Sequence, residues 1–331
     1  MNIGIFAIFA IVSFTSLKRM NGLWHDSDLS PVSDAWWHYK EGVIGGPSHW
    51  GQTAFMAIAN DVWPACYQGK MQSPVSISTD QILFDPNLTP LKILGVDIQI
   101  DVEVVNTGQD LQVKVIDPTT SVIFSGGPLV YDYKFFGALI KFGSMSNRGS
   151  DHQIDGIAFP AELQLYAFNF DLYPNYSSAL SKPNGLAAVS IFCKIGDRST
   201  AGMAALLSTI EHVQLKGQFK RLHGLLLNSI LPSAFQYITY QGSLPFPACH
   251  ETVTWILLNH PILITEEQLK SLRKLRIGPF RESGSMADNY RTIQSLNSRS
   301  LRTNIQFIDM QPYCSLQTRI SYRNVSEQRQ T

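Results

Sequence analysis

Residues 96–104 read Val96-Asp-Ile-Gln-Ile-Asp-Val-Glu-Val104, an unbroken alternation of apolar and polar side chains. A period of two puts one set on each face of a strand, so the stretch predicts a half-buried β-strand. Asn106-Thr-Gly-Gln109 follows as a turn and Leu111-Gln-Val-Lys-Val115 alternates again, which predicts a hairpin. Further apolar runs predict strands at 138–142, 162–169, 187–195 and 252–258. The clearest helical pattern starts at Thr265. Thr265 and Gln268 can form a capping box, Glu266 and Lys270 stand four apart, and Leu269, Leu272 and Leu275 line one face. Residues 17–50 carry Trp24, Trp36, Trp37 and Trp50 among Gly and Pro, the pattern of an irregular segment laid on a domain by its indoles. No linker or repeat divides residues 36–308, so one large, sheet-dominated α+β domain is expected.

Composition sharpens the class only slightly. The 331 residues are 44 % hydrophobic and 16 % charged, enough to bury a core and too apolar for a disordered chain. Lys+Arg and Asp+Glu both number 26, which excludes an overall polybasic nucleic-acid binder. From residue 266 onward, however, 11 Lys+Arg face 6 Asp+Glu, so this end is about +5. That excess is either a solvated basic face or a surface for an anionic partner.

The run Ile3–Phe14 is too short to span a bilayer, which needs ~20 apolar residues. It has the length of a signal-peptide core and is followed by small polar residues, so residues 1–16 are expected to direct secretion. An uncleaved anchor or a buried N-terminal helix are the alternatives. No second stretch is apolar enough for membrane insertion. Three sequons, at Asn87, Asn175 and Asn324, fit a secreted glycoprotein. The four cysteines (Cys66, Cys193, Cys249 and Cys314) form no metal-binding pair, and in an oxidising compartment some should join. Cys193 sits in an apolar strand-like run and reads as a buried thiol.

Known catalytic signatures are missing. The eight histidines include no pair closer than His250 and His260, ten apart, so no strand or helix supplies two zinc ligands. No nucleophile elbow, dinucleotide loop or phosphate loop occurs, and Asp26-Ser-Asp28 is an isolated acidic pair.

Several segments nevertheless resemble one family. Gly46-Pro-Ser-His-Trp-Gly51, Met71-Gln-Ser-Pro-Val75, Phe84-Asp-Pro-Asn-Leu-Thr-Pro90 and Gly149-Ser-Asp-His152 are similar to motifs of the α-class carbonic anhydrases. So are Ala161-Glu-Leu-Gln-Leu165, Thr239-Tyr-Gln-Gly-Ser-Leu244 and Asp288-Asn-Tyr-Arg291. The order holds over residues 35–308, which leaves an N-terminal segment at 17–34 and a tail at 309–331. Trp36-Trp-His-Tyr-Lys-Glu41, Lys182-Pro-Asn-Gly185 and Arg302-Thr-Asn-Ile305 resemble the secreted, non-catalytic X/XI type.

The resemblance implies a large twisted, mostly antiparallel ten-stranded sheet with short peripheral helices. It implies a disulfide between Cys66 and Cys249. It also places the family's three zinc histidines at Leu139, Lys141 and Gln164, none of which suits zinc. The family's proton-shuttle histidine falls at Gln109, its hydroxide-orienting threonine at Pro245, and two supporting acids at Asp151 and Glu162. No cofactor and no carbonic anhydrase activity are therefore expected. The X/XI likeness implies an extracellular partner of a neuronal, neurexin-type surface receptor. Cys314 is the candidate for an intermolecular disulfide. The alternative is a small-anion pocket built on Lys141, or a residual carbonate dehydratase-type lyase. Against the pocket stands a Lys141 ion pair with Glu162 or Asp151.

Overall fold

The hairpin predicted from alternation forms between Ile100–Asn106 and Leu111–Val115, and the first of these strands shows strictly alternating burial. It starts four residues later than the alternation predicts. Gly95 adopts a φ of +77° and its carbonyl accepts from the Ile98 N–H at 3.0 Å, so residues 95–98 are spent on a turn.

The computed structural model describes residues 37–51, 63–117, 119 and 121–306. In chain order its strands are β1 (Ser76–Ile77), β2 (Ile82–Phe84), β3 (Leu91–Leu94), β4 (Ile100–Asn106), β5 (Leu111–Val115), β6 (Ile123–Gly126), β7 (Tyr133–Phe142) and β8 (Gln153–Ile154). They continue with β9 (Ala161–Asn169), β10 (Leu186–Ile195), β11 (Phe219–Leu225), β12 (Tyr237–Gly242), β13 (Val253–Leu258), β14 (Ile262–Ile264) and β15 (Leu301–Thr303). The helices are short: α1 (Pro64–Gln68), α2 (Tyr176–Ala179), α3 (Ala201–Ser208) and α4 (Glu266–Leu272). None is long and apolar enough to cross a membrane among the described residues.

Thirteen strands join one sheet, not ten. Its continuous path runs β11-β4-β5-β7-β9-β10-β13-β12-β15-β2, with β3, β6 and β14 attached beside it. The sheet is mostly antiparallel, as expected, but mixed: β10 runs parallel to both β13 and β14, and β15 runs parallel to β2. Parallel pairing needs a long crossover, and β10 and β13 are separated by α3, β11 and β12. Strands of three or four residues carry too little alternation to be found from sequence.

Both faces of the sheet are covered, one by a cluster that includes Ala138, Ile140, Leu163 and Val189, the other by one that includes Leu139, Tyr166 and Trp255. That is why β7, β9 and β10 read as near-continuous apolar runs. The helix at α4 follows its pattern closely. Thr265 and Gln268 form both halves of the capping box, and Leu269, Leu272 and Leu275 are buried. Trp24, Trp36 and the acidic pair at Asp26 and Asp28 lie outside the described residues.

Candidate functional site

The sheet brings the three suspected ligand positions to one face. Leu139 and Lys141 are two apart on β7, Gln164 lies opposite Leu139 on β9, and Glu162 lies opposite Lys141. Ser190 on β10 pairs with Gln164 from the other side. All five side chains are buried.

Lys141 does not take its cross-strand neighbour Glu162 as a partner. Its Nζ donates to Asp110 Oδ1 at 2.7 Å and to the Tyr39 hydroxyl at 2.7 Å, with Asp151 Oδ2 further off at 3.9 Å. Of the two acids expected to pair with Lys141, Asp151 does so at 3.9 Å and Glu162 does not, and the closest partner is Asp110, which was not expected. Asp110 ends the turn of the β4–β5 hairpin, which points it across β5 towards β7. Tyr39 Oη donates to Asp110 Oδ2 at 2.8 Å, and Asn289 Nδ2 donates to Oδ1 at 3.1 Å. Tyr39 itself is wedged edge-on between Trp37 and Trp50, with ring centroids 5.2 and 5.8 Å away. Burial, reinforced by Asp110, raises the Tyr39 hydroxyl well above its ordinary pKa, so it stays a donor.

A second knot surrounds Glu162. It accepts from the His152 backbone N–H and ring Nδ1, from Ser190 Oγ and from Gln164 Nε2, all within 2.7–2.9 Å. Burial pushes Glu162 up, but the His152 contacts outweigh it and hold the carboxyl below its ordinary range. Gln164 Nε2 also donates to Asp151 at 2.8 Å, and its Oε1 accepts from the Tyr166 hydroxyl at 2.8 Å. Its amide is therefore spent on both sides. Asp151 additionally accepts from the Arg291 backbone N–H at 2.7 Å.

As a donor set these residues do not fit zinc. Leu139 offers no lone pair, Lys141 presents a cation already seated between Asp110 and Tyr39, and Gln164 is a neutral amide whose oxygen already accepts from Tyr166. Among the described residues no three His, Cys, Asp or Glu side chains converge to hold a metal ion. Pro245 is buried and has no hydroxyl. Gln109 lines a cleft near the surface, apart from the Glu162 knot.

Burial pushes Asp151 up to about 6, against the pull of Lys141. The folded state then holds a proton that the unfolded chain releases near its ordinary value of 3.8. Stability from this group is complete below that value and is lost as pH rises through about 6. Asp151→Asn should remove the slope. The variant should gain on the parent by up to ~3 kcal/mol between pH 4 and pH 7, measured by urea unfolding. Parallel pH profiles would overturn this.

The remaining positions separate cleanly. Cys66 and Cys249 are bonded across a sequence separation of 183, and Cys193 is a free, buried thiol. Asn87 is exposed in the turn after β2, whereas half-buried Asn175 caps α2 through its Oδ1. Asn324 and Cys314 lie outside the described residues. Asp110, Tyr39 and Asn289 were not singled out from the sequence for this site. They come from three distant segments, and no spacing rule links them.

Comparison with known proteins agrees with this architecture. The model of the eukaryotic-type carbonic anhydrase family matches residues 45–305. Carbonic anhydrase-like protein 2 of Caenorhabditis elegans is 39 % identical over 269 residues, covering 78 % of this chain and 77 % of that protein. With a family model over most of its length and a relative this similar, the chain belongs to the eukaryotic-type carbonic anhydrase family.

Proposed function

We propose that this chain is a catalytically silent carbonic anhydrase relative, exported from the cell, that acts by binding a cell-surface receptor. One observation carries the loss of catalysis. The Lys141 ammonium, fully buried and bonded to Asp110 and Tyr39, lies on the strand position where the resemblance puts a zinc histidine. A fixed cation there repels a metal ion, and a metal-bound hydroxide has nothing to form on. The small-anion alternative is disfavoured by the same geometry, because the ammonium's short contacts already go to Asp110 and Tyr39.

Export is supported by the Ile3–Phe14 run, the sequons and a disulfide between Cys66 and Cys249. The receptor reading, neurexin-type and neuronal, is supported by the likeness to X/XI-type proteins, and Cys314 is its candidate for a covalent contact.

The test uses the protein secreted from cells expressing candidate receptors. Zinc content well below one ion per chain and carbon dioxide hydration at the uncatalysed rate are expected, with a reducible receptor adduct at Cys314 on non-reducing mass mapping. Chelator-sensitive hydration would overturn the catalytic half. A Cys314 found free or capped by a small thiol would overturn the covalent half.

A further inference from the structure

We infer that the hairpin at residues 276–285, with the cleft behind it, is a docking face for an acidic protein segment carrying an apolar anchor residue. Several basic residues from 266 onward are tied into the fold, and others stand on one face with basic residues from elsewhere in the chain. Arg273 donates to the Gly143 carbonyl, Arg291 is buried on the Ser73 carbonyl, Arg299 holds the Gln72 carbonyl and Arg302 pairs with Asp85. These four are part of the fold. Lys216, Arg276 and Arg281 make no ion pair among the described residues, and neither does Lys40.

Local hydrogen bonds draw this second group together. Asn106 Nδ2 donates to the carbonyls of Val213, Gln214 and Arg276, the Arg276 N–H bonds to Gln214 at 2.8 Å, and the Lys216 N–H bonds to Gly278 at 3.0 Å. Gly108, at φ +87°, lets the chain pass where a Cβ would stand 2.8 Å from the Ile277 carbonyl. The hairpin then displays apolar side chains to water: Ile277 is 49 % exposed and Phe280 68 %, with Phe219 at 57 % on the edge strand β11. A cleft of about 530 Å³ opens beside Ile277, lined also by Tyr39, Met286, Ala287 and Tyr290. Two acids line its wall: Asp288 is already taken by Arg148 and Ser144, and Glu41 accepts from Thr292 Oγ1 at 3.4 Å. Lys40, Lys216, Arg276 and Arg281 outnumber the two acids borne on the same segments, Glu41 and Glu282.

Exposed apolar side chains and arginines on a hairpin whose Ile277 lines a cleft are the composition of a protein-binding hot spot. A sulfated glycan would need only the cations, so the apolar side chains favour a protein partner. This inference deepens the receptor reading and rests on it for the existence of a partner, but it does not involve Cys314.

The probe is a fluorescein-labelled peptide, Glu-Asp-Phe-Glu-Asp-Leu-Glu-Asp, titrated into the purified chain, with a control peptide in which Phe and Leu are Ser. The parent should bind the apolar-acidic peptide at least about tenfold more tightly than the control. Ile277→Ser with Phe280→Ser should lose about tenfold, and Arg276→Ala with Arg281→Ala should lose both affinity and salt dependence. Lys182→Ala, elsewhere on the surface, should change nothing, and unaltered thermal midpoints will show that the variants fold. Equal binding of both peptides with displacement by heparin would identify a polyanion surface and overturn the inference. So would binding unaffected by the Ile277 and Phe280 changes. A missing Cys314 adduct with peptide binding intact removes the covalent receptor contact and leaves this face standing.

Discussion

Lys141→Met is expected to destabilise the fold by about 3–5 kcal/mol, because it strands the buried Asp110 carboxylate without its cation. Methionine matches the length and packing of the lysine stem, so little of the loss comes from volume. Asp110 would keep the Tyr39 and Asn289 donors, at 2.8 and 3.1 Å, but these neutral dipoles do not balance a full charge at a site almost closed to water. Adding Asp110→Asn should therefore recover about 1–3 kcal/mol, since both charges are then gone together. Urea unfolding of the parent, both single variants and the double variant measures the coupling. Additive effects would mean that the two groups do not interact, and a neutral Lys141→Met would mean that Asp110 is satisfied without it.

The second large effect concerns the link between Cys66 and Cys249. It closes a sequence separation of 183 residues, so the chain-entropy model assigns it about 5 kcal/mol of stability, mostly by restricting the unfolded chain. It joins α1 to the loop that follows β12, and Arg291 crosses the same region, donating to the Cys66 carbonyl at 3.2 Å. Cys66→Ser with Cys249→Ser should lower the free energy of unfolding by several kcal/mol, as should reducing the parent. A loss under ~1 kcal/mol would mean that the unfolded ensemble is already restricted in this region.

Some of this was readable from local pattern, and the boundary follows a physical rule. The β4–β5 hairpin and the α4 capping box depend on contacts within a few residues, so alternation and cap chemistry were enough to place them. The strands β7, β9 and β10 were found as apolar runs, but their depth and pairing were not, since a strand buried on both faces has no alternation to read. The number of strands went further astray, and so did the three parallel pairings within a mostly antiparallel sheet. β2, β14 and β15 are three residues long, and all three take parallel partners far away in the chain.

The candidate site shows the same division more sharply. The motifs alone identified Leu139, Lys141 and Gln164 as the positions to examine, because i and i+2 share a strand face and residue identity decides what can bind a metal ion. They did not identify what Lys141 does. Glu162 and Asp151 were the acids expected to pair with it, whereas its short contact goes to Asp110, Asp151 stands 3.9 Å away and Glu162 is taken by His152. Asp110 is 31 residues from Lys141, and Asn289 is 179 residues from Asp110. Residue chemistry at a given position is a property of the sequence, and so is a periodicity carried by neighbours. Which buried charge meets which depends on how distant segments are stacked, and only the tertiary structure decides that.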